Sequence, residues 1–140
     1  VTTLVVDLHD RRDHPDYDPD LNPTVIYVSR RQWWGPGRLL DEHPLKNPHL
    51  VDKPCRARGC HGVLHTREEA VAAYGRRLLA HPDLLALVPA LRGKTLGCWC
   101  APELCHAHVL AVLAEAPELE ARRLLQELVA DPYTALSEAV

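Results

Sequence analysis

The chain has 140 residues, 46% hydrophobic and 25% charged, with a net charge of −3 and a pI near 6.3. That length builds one domain with a real core but not two, and the mildly acidic balance argues against a dedicated duplex-DNA binder. No apolar run approaches a membrane span and no signal-peptide pattern opens the chain. A cytoplasmic protein is therefore expected, in which the five cysteines act as ligands or reactive thiols rather than disulfides. The absence of Met points to a removed initiator or a trimmed start.

Thr2 to Leu8 is rich in β-branched residues and reads as an opening strand. His9 to Pro23 is a polar loop. Its aspartates (Asp10, Asp13, Asp16, Asp18 and Asp20) lack calcium-loop spacing and read as a solvated acidic stretch. Thr24 to Ser29 is a second strand, leading to Arg30, Arg31, the pair Trp33-Trp34 (at least one of them core) and the turn Gly35-Pro36-Gly37.

The stretch 38–65 is irregular and broken by prolines, and it carries Cys55, Cys60, His61 and His65. Cys-x4-Cys followed by His resembles half of a zinc knuckle. These residues could close a site of their own, lend a member to another cluster, or belong to a loop that merely bears cysteines.

Thr66 opens a helix with a capping box: its hydroxyl caps the start while Glu69 reaches back. Ala70, Val71, Tyr74, Leu78 and Leu79 form the buried face, and His81-Pro82 ends the run. Asp83 to Leu91 is a second short helix. Thr95 to Trp99 is a buried strand, and Cys105 onward is a helix with Val109, Leu110, Val112 and Leu113 inward. After Pro117 another amphipathic helix runs to Val129, and the tail beyond Asp131-Pro132 adds at most a last helical turn. The expectation is α/β: a small, mostly parallel, Rossmann-like sheet flanked by helices, a single domain over 1–140 with an insertion at about 38–65 and a helical extension at about 117–140.

The chemistry concentrates between Lys94 and Leu113, where Cys98, Cys100, Cys105, His106 and His108 crowd one strand–turn–helix unit. Residues two apart on a strand share a face, so Cys98 and Cys100 lie side by side, and the turn returns Cys105 to them. On the helix Cys105 pairs with His108 rather than His106. Three thiolates, with or without an imidazole, suit zinc, and the helix N-terminus favours a Cys105 thiolate as ligand or nucleophile.

One string here, Gly97-Cys98-Trp99-Cys100-x-Pro102-x-x-Cys105-His106, resembles the hallmark of a small phage and bacterial domain family of unknown function, DUF4326. The likeness extends to Tyr27-Val28-Ser29-Arg30, Trp34-Gly35, and Thr66 to Ala70 with Tyr74, covering about residues 1–115. The family usually has Gly at position 29, a Gly-Asn-Pro step at 35–36 and Asp at 108. The last weakens the case for His108 as an essential ligand, though it stays among the candidate metal ligands. The segment with Cys55 and Cys60 looks like an insertion relative to the family and inherits no role from it. The resemblance implies a compact α/β fold with a cysteine–histidine site and carries no established reaction.

Four functions are weighed on these residues. The first is an enzyme with zinc at Cys98, Cys100 and Cys105, an open fourth position, His106 as general acid or base, Arg30 as anion clamp and Trp34 as stacking wall. Its ligand would be a small anion of nucleotide or nucleoside type. The second is a structural zinc domain, closed by His106, His108, Cys60 or His61. The third is a metal-free nucleophile, Cys105 or Cys100, with His106 as its base. The fourth is an iron–sulfur cluster on the three cysteines. The sequence does not address oligomeric state.

Overall fold

In the computed structural model, which describes residues 2–12, 14–99 and 103–139, three parallel strands form the centre. They are β1 (Leu4–Asp7), β2 (Val25–Tyr27) and β5 (Thr95–Cys98), in the order β1-β5-β2, so the last strand in sequence lies between the first two. Leu4 faces Thr95 on one side and Val25 faces Thr95 on the other, which fixes both registers. Leu8 packs so closely on the central strand that a Cβ at Gly97 would lie 3.0 Å from its side chain, which is why position 97 carries none. An antiparallel hairpin of β3 (Gln32–Gly35) and β4 (Arg38–Leu40) stands apart, turned by Gly37 at φ 74°.

Helices cover the sheet as expected for α/β. α1 (Arg67–Ala80) opens with the full Thr66/Glu69 capping box and buries Ala70, Val71, Tyr74 and Leu78. α2 (Pro82–Leu85) is a single turn, and a 3-10 turn at Val88–Leu91 replaces the rest of the helix expected there, because Pro89 removes a donor in mid-run. α3 (His106–Glu115) packs its apolar face on the sheet, and α4 (Glu118–Ala130) and α5 (Pro132–Ala139) complete the helical side. α1 and α4 approach closely at Gly75, where an added Cβ would meet Leu128 Cδ2 at 2.9 Å and Val129 Cγ2 at 3.0 Å. No helix among the described residues is long and apolar enough to cross a membrane.

A second, smaller core gathers Leu8, Tyr27 and Leu40, with Tyr17, Trp34 and Trp99 around them. One loop aspartate joins it. Asp18 is 8% exposed and takes two hydrogen bonds from the Arg38 guanidinium, at 2.6 and 2.8 Å, which holds its carboxyl below the usual carboxylate range. The acidic loop is thus pinned to the hairpin rather than wholly solvated. Arg38 also lies over the Trp34 ring, 5.0 Å from its centroid.

Two outcomes are expected. Gly75→Val forces Leu128 and the β-branched Val129 on α4 aside and destabilises by about 2–3 kcal/mol in urea unfolding. Arg38→Gln removes a charge-assisted pair worth about 2 kcal/mol at neutral pH. Since the folded Asp18 pKa is depressed, that contribution is present above the ordinary carboxylate pKa and is lost as pH falls through the folded value. Unfolding curves of wild type and Arg38→Gln therefore converge in acid; a gap that persists there would rule out the pair as its source.

Candidate metal centre and the cavity beside it

From the end of β4 at Leu40 to the start of α1 at Arg67 the chain forms neither helix nor strand. Its ends are tied down. The Tyr74 hydroxyl donates to the Leu45 carbonyl at 2.5 Å, and Asn47 Nδ2 donates to Ala70 O at 3.2 Å. The neck closes through the Val51–His65 bridge, with Asp52 N–H donating to His65 O at 2.9 Å. Beyond the neck, Cys55 N–H donates to Val63 O and Gly62 N–H to Cys55 O, each at 3.0 Å. The reversal needs left-handed backbone at Gly59 (φ 89°), His61 (φ 51°) and Gly62 (φ 79°).

This folding brings together His49, Cys55, Cys60 and His65, whose ligand atoms all lie within 4.8 Å of one another. His49 Nδ1 is 3.8 Å from Cys55 Sγ and 3.4 Å from Cys60 Sγ, and His65 Nε2 is 3.4 Å from Cys60 Sγ. Zinc–sulfur and zinc–nitrogen bonds of about 2.3 and 2.0 Å at tetrahedral angles put neighbouring N and S donors about 3.5 Å apart. The group can hold a metal ion.

Electrostatics agree. Burial, helped by His65, Arg76 and Arg77, pushes the His49 pKa down, so the ring stays neutral with a lone pair to give. At Cys55 burial opposes ionisation, but hydrogen bonds from Leu50, Ala57 and Cys60 outweigh it and the thiol pKa is lowered. At Cys60 burial and the neighbouring Cys55 raise it. The two thiols are thus pushed in opposite directions, and a bound metal would take both as thiolates. His61 turns away: it is exposed, and its part in the loop is its left-handed backbone. His49 and His65 are the partners of Cys55 and Cys60.

The strand–turn–helix unit has a different geometry. Cys98, at the end of β5, and Cys105, the N-cap of α3, are buried with sulfurs 3.5 Å apart. Cys105 Sγ accepts the Ala107 N–H at 3.3 Å. Cys100 lies outside the described residues. His108 Nδ1 accepts the Cys105 N–H at 3.1 Å, acting as a helix cap. His106 Nε2 donates to Val28 O at 2.7 Å while its ring packs edge-on to Tyr74 at 5.2 Å. Burial is the main force pushing the His106 pKa to about 4, so at neutral pH its single proton is the one bonded to Val28. Among the described residues the His49–Cys55–Cys60–His65 group alone gathers three or more candidate metal donors.

A cavity of about 500 Å³ opens at the carboxyl ends of β2 and β5, between this unit and the metal loop. Its described lining includes Arg30, Arg31, Lys53 and Arg67 and no carboxylate. Arg30 and Lys53 have no ion-pair partner among the described residues, Arg31 reaches only the exposed Asp41 at 3.7 Å, and Arg67 is held to Glu103 at 2.9 Å and Leu104 O at 3.3 Å. Cys105 and His106 also line the space. The aromatic walls are Tyr27 and Trp99, joined by a 2.9 Å hydrogen bond from the indole to the phenol, whereas Trp34 packs on the small core without lining the cavity and Trp33 is 62% exposed.

No curated protein and no solved structure matches the chain. One protein family does, over residues 12–116, a span that runs from the acidic loop to the end of α3 and takes in the hairpin, the metal loop and the cavity. With three quarters of its length matched, the chain belongs to DUF4326, a family of domains of unknown function.

Proposed function

We propose that this protein is a zinc domain in which the metal is structural and the working site is the adjoining cationic cavity, which binds a small anionic molecule of nucleotide type. The single observation that carries the reading is the set of N···S separations of 3.4–3.8 Å among His49, Cys55, Cys60 and His65. Two thiolates and two neutral imidazoles form a tetrahedral S2N2 set, the donor set of zinc. Two thiolate charges also neutralise the ion, so the filled, partly buried site carries no net charge. Donor atoms all within 4.8 Å of one another surround one ion and leave no room for two irons with bridging sulfides.

Four protein ligands close the coordination sphere, so this centre offers no position to water or substrate. Chemistry on a ligand is then the work of cavity side chains, and Cys105, at the N-cap of α3, is the nucleophile this reading assigns. The cavity's four cations in a chain of net charge −3 support an anionic ligand, since a concave site lined by one sign of charge concentrates the opposite sign.

Elemental analysis of the purified chain should give one zinc per molecule. Cys55→Ser/Cys60→Ser should lose it and melt at lower temperature, because binding energy at such a site is folding energy. Cys98→Ser should keep it. Zinc that survives in the double variant, or is lost in Cys98→Ser, would place the metal elsewhere and overturn the assignment.

A further inference from the structure

The cavity has two walls of unlike construction. Tyr27, Arg30, Trp99 and Cys105 follow directly from the ends of β2 and β5 or the start of α3, and the sheet holds them. The facing wall is His49, Leu50, Val51 and Lys53, all from the metal loop, where only the Val51–His65 bridge supplies strand-like pairing. His49 belongs to both sites: its Nδ1 faces the two sulfurs while the residue lines the cavity. Lys53 lies between His49 and Cys55, two residues before the latter, and Arg67 lies two residues after His65, so one cavity cation sits within the span of the metal group and another directly follows it.

We propose that the metal centre and the cavity are thermodynamically coupled: the bound metal fixes His49 and Cys55 and thereby sets Lys53 as a phosphate-binding residue, so that a phosphate ester binds the metal-loaded chain and in turn retains the metal. The proposal rests on the reading of the cavity as an anion site. With the metal bound, the Lys53 backbone is anchored within two residues, and Lys53 lines the same cavity as Arg30 and Arg67, a set of cations suited to a phosphate dianion. With the metal gone, the 49–55 strip loses its main tie, and the entropy of re-ordering it is charged against ligand binding. Linkage makes the effect reciprocal: whatever factor the metal adds to ligand affinity, the ligand adds to metal affinity. Zinc loading would thus set whether the site is competent.

The test uses the full zinc-loaded chain, with adenosine 5′-monophosphate, inorganic phosphate and adenosine as probes. Binding is followed by calorimetry and zinc transfer to a chromogenic chelator by absorbance. Saturating nucleotide should slow zinc transfer roughly tenfold. Inorganic phosphate should also slow it, and adenosine should not. Lys53→Gln keeps all four donors, so it should retain its zinc, bind the nucleotide roughly tenfold more weakly and lose the slowing. Arg92→Gln, outside both sites, should behave as wild type in every measurement. If the zinc-loaded wild type binds none of the probes, the anion-site reading fails and the coupling with it. If it binds the nucleotide but releases zinc at an unchanged rate, or if Lys53→Gln behaves as wild type, the coupling alone is overturned and the cavity stands.

Discussion

Everything on one side of the cavity depends on a stretch of chain that has too little backbone hydrogen bonding to hold itself. Between Leu40 and Arg67 there is neither helix nor strand, and a loop of that length in a compact domain must be ordered by something else. Tyr74 and Asn47 secure its first part, and the Val51–His65 bridge pinches its neck. Past the neck, convergence of two sulfurs and two imidazoles takes over. Without an ion the same four groups are a poor arrangement, since sulfurs and imidazole nitrogens gain little from one another. With one, each has a partner worth more than the desolvation of its donor atom.

The sheet makes the opposite contribution. All three strands run parallel, so Asp7, Tyr27 and Cys98 end at one edge and the chain must turn there before each next element. The N-terminus of α3 faces that edge, and Arg30 emerges beside it. His106 secures the arrangement by joining α3 to the end of β2 through Val28 and packing edge-on against Tyr74 of α1. A histidine that stays neutral because it is buried is well suited to such a tie, as it brings a donor into the core without a charge. The result is a mildly acidic molecule with a local positive well.

Much of this was legible in the sequence where the signals are local. The Thr66/Glu69 capping box, the three strands and the strand–turn–helix around Cys98 and Cys105 follow from spacing within a few residues. Cys55 and Cys60 declared half a metal site for the same reason. Their partners did not. His49 precedes Cys55 across Pro54 with no spacing rule to join them, and His61, next to Cys60, is diverted by the left-handed turn while His65 returns through the neck. Trp34 and Trp99 illustrate the same limit, since which indole reaches the cavity depends on how the hairpin folds onto Leu8 and Tyr27. Asp18 looked like its four neighbouring aspartates, and only a guanidinium 20 positions away singles it out. Its burial is a property of the pairing, not of the loop.

The strand order has a temporal meaning. Because β5 sits between β1 and β2, neither early strand has a neighbour until residue 95 has been made, and the sheet closes only when most of the polypeptide exists. The metal loop is different, for His49 and His65 are only 16 positions apart and their group can assemble while the rest is still being synthesised. During biosynthesis the loop wall of the cavity can therefore take shape before its sheet floor.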